Sequence, residues 1–291
     1  MATKEEVIKQ KLARADFTDD VMFGLIMAKQ AIYQRFLEAV LPKKVFEDIR
    51  AITQRQLKTD YVSRAGRLDL LCTTKSGEQF NVELQMTNEH NLPQRARYYH
   101  ALLANHMLAV GEDYHNLKDS YVIFLCNFDH NGYGHAFTHY QTFSSRSLAD
   151  SLGDGSHTII LNAKGNWAEV NDELKGIFQL VLHQKPTLGH LGPEIASEIK
   201  YTKQTELGGR KYMELAGTFW QEIAKTSEEQ GIKKGRKEGR EESYVTLVPI
   251  FVQKLTEDGY SRDEIIAYLE TKLALSEEAA QKYYQLAITK A

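Results

Sequence analysis

Two carboxylates and an amide stand where strands are expected. The stretch RLDLLCTTKSGEQFNVELQM, Arg67 to Met86, reads as two alternating runs around a turn, and those runs carry Asp69, Glu83 and Gln85. Acidic residues are depleted in strands, so their presence asks for a reason. Side chains alternate along a strand, which puts Leu68, Leu70 and Cys72 on one face and Phe80, Val82 and Leu84 on one face of the return strand. If both apolar rows meet one core, Leu70 pairs with Val82 and Leu68 with Leu84. That register leaves Lys75-Ser76-Gly77 as a three-residue loop with Gly at the left-handed position. It also sets Asp69 directly opposite Glu83, with Cβ atoms roughly 4.5–5.5 Å apart, and Gln85 on the face of Glu83. Facing like charges destabilise a sheet. A hard divalent cation that takes carboxylate oxygens would neutralise the pair; a solvated polar face that tolerates it is the plainer alternative, and the spacing leaves both open.

The elements around this hairpin must position it. DFTDDVMFGLIMAKQAIYQRFLEAVLP has capping residues and apolar groups at helical spacing up to Pro42, which predicts a core-packed helix broken once, with Asp20 as its cap. Ile49 to Val62 is expected to supply a first strand. A helix starts at Pro93 and is expected to stop at Gly111. SYVIFLCNF is apolar on both faces, as a central strand covered by helices must be; HAFTHYQTF and HTIILN read as two more strands separated by SLGDGS. The order is helix, three strands, helix, three strands, which predicts an α/β sandwich around one mixed sheet. From Asn171 onward helical patterns dominate.

The chain has 291 residues, 42% hydrophobic content and a net charge of −3, enough for a sizeable core and one or two domains. Cys72 and Cys126 sit in apolar runs outside any CxxC spacing, which predicts buried thiols in a reducing cytoplasm. No signal-peptide core and no run of membrane-crossing length is seen. GIKKGRKEGREE repeats every four residues with Gly231, Gly235 and Gly239 in step; it reads as a solvated helix or spacer, with a DNA-backbone contact through Lys233, Lys234, Arg236 and Lys237 as the second reading. The division expected is 1–227 for the α/β core with a helical extension, 228–242 for the linker, and 243–291 for a small helical tail. In that tail Ser261 and Glu264 fit a capping box.

Other candidate chemistries are weak. His130, His135 and His139 have zinc-like spacing only on a helix, and their surroundings read as strand or loop. SLGDGS and ELGGRKY lack the layout of a phosphate-cradling loop. No nucleophilic triad can be chosen among ten histidines.

Asp69, then Glu83-Leu84-Gln85 on the next strand, then a helix bearing Arg95, resembles the PD-(D/E)XK nuclease fold. FTDDVMF, LLCTTKSGEQFNVELQM, LPQRARYYHALL, GEDYHNLKDSYVIFL, the charged Gly repeat and DGYSRDEIIAYLETKLALSEEA, taken in order, resemble the recombination-promoting nuclease/putative transposase family, with Gln in place of the motif Lys. The resemblance is most specific from Phe17 to Phe128. It implies a restriction-endonuclease-like α/β fold with a helical C-terminal extension, and Mg²⁺-dependent endonucleolytic hydrolysis of DNA, with Mn²⁺ as a substitute. It implies Asp69 and Glu83 as metal ligands, Gln85 as the third catalytic residue, Arg95 near the start of its helix as the phosphate contact, and Tyr99 as a matching position. The bland reading of Arg95 is a surface arginine paired with Glu89 or Glu112. An amide can position a water but cannot take its proton, so Gln85 would position. Self-association through the C-terminal helices is expected, and no membrane contact. Two rivals stay open: an inactive DNA-binding or protein-interaction member of the same fold, and an RNA nuclease.

Overall fold

The structure is a computed structural model that describes residues 4–46, 49–53, 70–273 and 275–290. It divides into two compact units, Met1–Phe219 and Trp220–Ala291.

In the first unit the predicted α/β sandwich forms. The strands are β1 (Arg50–Thr53), β2 (Leu70–Thr73), β3 (Gln79–Gln85), β4 (Ser120–Cys126), β5 (Phe137–Tyr140), β6 (Phe143–Ser144), β7 (Ser147–Ser151) and β8 (Ser156–Asn162). Six make one mixed sheet in the order β1-β2-β3-β4-β8-β5, antiparallel through β1, β2 and β3, parallel through β3, β4 and β8, with β5 antiparallel at the edge. The hairpin takes the register that alternation demands: Leu70 faces Val82 and Cys72 faces Phe80. Thr74 and Glu78 close the loop, the Thr74 N–H donating to the Glu78 carbonyl at 2.9 Å, and Gly77 adopts φ +91°. The rule that one face must be buried fixed this register. Leu68 and Asp69, and with them the expected Asp69–Glu83 pair, lie outside the described residues.

Helices cover both faces. On the first lie α1 (Lys4–Arg14), α2 (Asp20–Met27), α3 (Gln30–Val40), α5 (Asp172–Val181) and α6 (Leu191–Gln204), sharing one core with Phe80, Val82, Leu84, Ile123, Leu125, Ile159 and Leu161. The predicted break in the N-terminal helix falls between α2 and α3. Its cap is Asp19 rather than Asp20: the Asp19 carboxylate accepts from the Met22 N–H at 3.0 Å, and Asp20 is already in the first turn. The close approach of α5 and α6 requires glycine, since a Cβ on Gly192 would meet the Gly176 backbone at 2.7 Å. On the second face lies α4 (Leu92–Met107), with Pro93 in its first turn, over a smaller core of Leu71, Leu103, Val122, Phe124 and Ile160. It ends four residues before Gly111, because Leu108 turns extended. The β6–β7 ribbon replaces a simple turn between the last two predicted strands.

A long helix, α7 (Glu206–Glu257), runs through the boundary of the two units and includes the glycine repeat. In the second unit Val248 and Val252 of α7 pack with Ile265, Ile266 and Leu269 of α8 (Arg262–Leu273) and Ala280 and Ala287 of α9 (Glu277–Lys290). The capping box forms as predicted, the Ser261 N–H donating to Glu264 at 2.8 Å. The last helix, α9, has no counterpart in the sequence reading. Among the described residues no helix is long and apolar enough to cross a membrane.

Candidate active site beneath α4

Strand β3 is buried along its whole length, yet it has two unlike faces. Phe80, Val82 and Leu84 enter the large core, while Gln79, Asn81, Glu83 and Gln85 form a polar row under α4, none more than 9% exposed. The solvated-face alternative therefore fails for Glu83: it is fully buried.

A buried carboxylate must be compensated, and α4 supplies the partners. Arg95, one turn into the helix, donates to Glu83 Oε2 at 3.0 Å and to Gln85 Oε1 at 2.7 Å. Tyr99 follows on the same helical face; its hydroxyl donates to Glu83 Oε2 at 3.0 Å and accepts from Arg95 at 2.9 Å. Asn81 donates to Glu83 Oε1 at 2.9 Å. Burial, and then the Glu83 charge, hold the Tyr99 phenol well above its ordinary pKa, so it stays a proton donor. Arg95, 28% exposed, is the most accessible member of this cluster.

Glu83, Gln85 and Arg95 thus come together as the sequence implied, and Asp69 lies outside the described residues. Arg95 takes Glu83 rather than Glu89 or Glu112, because α4 turns residue 95 down onto the sheet. The sequence reading missed Asn81, although period two puts it on the face of Glu83, and it left Tyr99 without a role. Two buried oxygens on this row, Gln79 Oε1 and Asn81 Oδ1, find no hydrogen-bond partner among the described residues. Each such orphan costs about 1–3 kcal/mol, which a purely structural sheet face would avoid.

Further along α4, His100 hydrogen-bonds Ser120 Oγ at 2.7 Å and Thr158 Oγ1 at 3.0 Å, and burial pushes its pKa down to about 4. It is a neutral clamp between helix and sheet. Cys126 is a buried thiol whose pKa burial raises to about 12, and Cys72 is likewise a buried thiol outside any disulfide, as expected. The three spaced histidines diverge: His130 meets Tyr140, His135 meets Glu169 and His139 meets His157.

Among the described residues no three His, Cys, Asp or Glu side chains gather to hold a metal. The donors beneath α4 are nevertheless all oxygens: the Glu83 carboxylate, Gln85 Oε1 and the orphaned Asn81 Oδ1 beside Glu83. Oxygen sets of this type suit Mg²⁺ or Mn²⁺ and not a soft metal.

No curated protein and no solved structure gives a significant match to the chain. The family described as PD-(D/E)XK nuclease family transposase matches residues 13–174, a span that holds the whole sheet and α4. With that match over more than half its length, and with the mixed sheet and flanking helices of a restriction-endonuclease-like fold, the chain belongs to the PD-(D/E)XK nuclease family transposases.

Proposed function

We propose that the chain is a metal-dependent endodeoxyribonuclease acting on DNA phosphodiesters, with a role in recombination or in mobile elements. The observation that carries this reading is the buried Glu83 on β3, tied to Arg95 and Tyr99 of the following helix, with Arg95 also donating to Gln85. The Leu70–Val82 pairing is the register that an Asp69–Glu83 pair requires.

In this reading Asp69 and Glu83 would hold Mg²⁺ or Mn²⁺. Such an ion lowers the pKa of water and offsets charge developing on the phosphate. The chain's own residues do the rest. Tyr99 and Asn81 fix the rotamer of Glu83 by hydrogen bonds to its two oxygens. Gln85 orients the attacking water but cannot accept its proton. Arg95 supplies the fixed positive charge, near a helix N-terminus, that a scissile phosphate needs.

One observation favours the inactive-member reading: Arg95 and Tyr99 already satisfy the Glu83 charge within the protein. A nicking assay separates the two. Supercoiled plasmid is incubated with the protein under Mg²⁺, Mn²⁺, Ca²⁺ and EDTA, beside Asp69→Ala and Glu83→Gln. Nicking with Mg²⁺ or Mn²⁺, lost in EDTA and in both variants, is expected. Equal nicking by the variants, or none by the wild type with either ion, would sink the enzyme reading.

A further inference from the structure

On the β8 side of α4, across the helix from Glu83, lies a cleft of about 680 Å³ that the chemistry above does not use. Its size is that of a small-molecule site. Leu92, Pro93 and Ala96 of α4 and Ile160 of β8 give it an apolar floor. The opposite wall is the loop from Asp129 to Gly134 together with β5. That wall is built rather than incidental: the Asp129 carboxylate accepts from the N–H groups of Asn131, Gly132 and Gly134 at 3.2, 3.0 and 2.7 Å. His130 and Asn131 both hydrogen-bond the Tyr140 hydroxyl, at 2.9 and 3.1 Å, so ring and loop hold each other in place. Tyr133 stands at the rim, 75% exposed.

The lining defines the ligand class. Exposed aromatic rings over an apolar floor, with amides at the edge, suit a planar heteroaromatic group that stacks and is read along its rim. Arg97 lines the cleft, and its described lining carries no acidic side chain, which favours an anionic ligand; burial lowers the pKa of His100 and His130, so they serve as neutral hydrogen-bonding edges. The cleft and the candidate active site share the chain around the N-terminal end of α4, although no residue of the Glu83 cluster lines the cleft. Gln85 ends β3, Asn88 and His90 of the next loop line the cleft, and Arg95 lies one turn into α4 between them and Tyr99. A strand crossing the N-terminal end of α4 meets both.

We infer that this cleft receives an unpaired nucleotide of the DNA strand whose phosphate lies at Arg95, its base stacking against Tyr133 and Tyr140 and its phosphate meeting Arg97. The inference rests on the nuclease reading for the identity of the strand. It makes the protein selective for DNA with an unpaired stretch beside the scissile bond, over fully paired duplex.

The test needs no catalysis. Fluorescence anisotropy in EDTA measures the binding of the full chain to a short labelled single strand and to the blunt duplex of the same sequence. Tyr133→Ala, at an exposed rim position, is the variant. The single strand should bind more tightly than the duplex, and Tyr133→Ala should weaken the single strand about 5–100-fold, the range for losing one base–aromatic stack, with duplex affinity unchanged. A 2-aminopurine in the strand should change its fluorescence on binding wild type and not on binding the variant. Equal loss on both DNAs, no loss on either, or no binding of the single strand by wild type would overturn the inference. If wild type nicks plasmid while Tyr133→Ala binds normally, the cleft fails and the nuclease stands; if no cleavage is seen but the Tyr133-dependent preference holds, the reverse is true.

Discussion

The two faces of β3 are built from alternate residues of one strand, yet they obey different rules. On the first, Phe80 stacks on Tyr121 at 4.5 Å and meets Phe46 edge-on at 5.3 Å, and the row enters a core shared with several helices, with no polar atom among its own side chains. On the second, a single helix covers a buried carboxylate and two orphaned oxygens, and is clamped to the sheet by its own neutral His100. The first face adds about 1.5–3 kcal/mol for each large side chain fully buried. The second is expensive to fold and gains nothing from apolar burial at Glu83. On the proposed reading, the contrast separates a face that supplies stability from one that keeps function at stability's expense.

The comparison can be broken most directly at Glu83. Glu83→Gln keeps the shape and most hydrogen bonds, and should lower nicking about 10³-fold or more, the several kcal/mol that a metal site contributes, with a urea midpoint lowered less than in Arg95→Ala because the charge left unpaired is the partly exposed one. Unchanged activity would put the chemistry elsewhere. Leu125→Ala on the opposite face should do the reverse. It should cost about 2–5 kcal/mol in urea unfolding while activity per folded molecule holds; a large activity loss in folded protein would mean that the faces are not independent.

Arg95→Ala probes the cost of the polar face. Breaking a buried ion pair costs about 3–5 kcal/mol, and the partial exposure of Arg95 brings the expectation to the lower end. Adding Glu83→Gln to Arg95→Ala should recover most of that loss, because no buried charge is then left alone. If the double variant is no more stable than Arg95→Ala, the pair is not what holds α4 down. His100 gives a smaller, pH-dependent effect. Its pKa is depressed from 6.5 to about 4, so the folded state binds fewer protons than the unfolded one between those values, and stability falls as pH drops through that window. The ceiling is about 3 kcal/mol at 1.36 kcal/mol per unit. His100→Gln should flatten this part of the stability profile, and an unaltered slope would assign the acid sensitivity to other groups.

The two faces were also unequally legible in the sequence. Leu70, Val82 and Phe80 fix the hairpin register because a one-residue slip would turn every apolar side chain to the wrong side. The same alternation places Asn81, Glu83 and Gln85 together, but says nothing about what covers them. Arg95 offers nearby partners in the chain, Glu89 and Glu112, and its actual partner depends on how α4 lies across the sheet, which local pattern does not encode. The β6–β7 ribbon escaped notice because Ser147–Ser151 is exposed throughout and carries no apolar alternation to detect. The cleft escaped for a related reason. In the sequence His130 shows only its spacing to His135 and His139, and Asn131, Tyr133 and Tyr140 carry no pattern; their significance comes from a fold of the chain around Asp129.

The finest test of the polar face concerns Gln85, which the proposed reading sets at the position of the motif lysine. Gln85 Oε1 accepts from Arg95 at 2.7 Å, so in this chain a guanidinium from the helix already brings positive charge to that position. Gln85→Lys would add an ammonium beside Arg95. If Gln85 and Arg95 together stand in for the motif lysine, the added charge repels Arg95 and only partly replaces it, so nicking should stay within about tenfold of wild type, one RT ln 10 step. Arg95→Ala combined with Gln85→Lys should then nick better than Arg95→Ala alone, since the ammonium takes over the charge that developing phosphate oxygens need. Plasmid nicking by the wild type, both single variants and the double variant decides it. A double variant no better than Arg95→Ala would mean that Arg95 acts through its hold on Glu83 and not through its charge. A wild type that never nicks, beside a Gln85→Lys variant that does, would make the glutamine the residue that silenced the site.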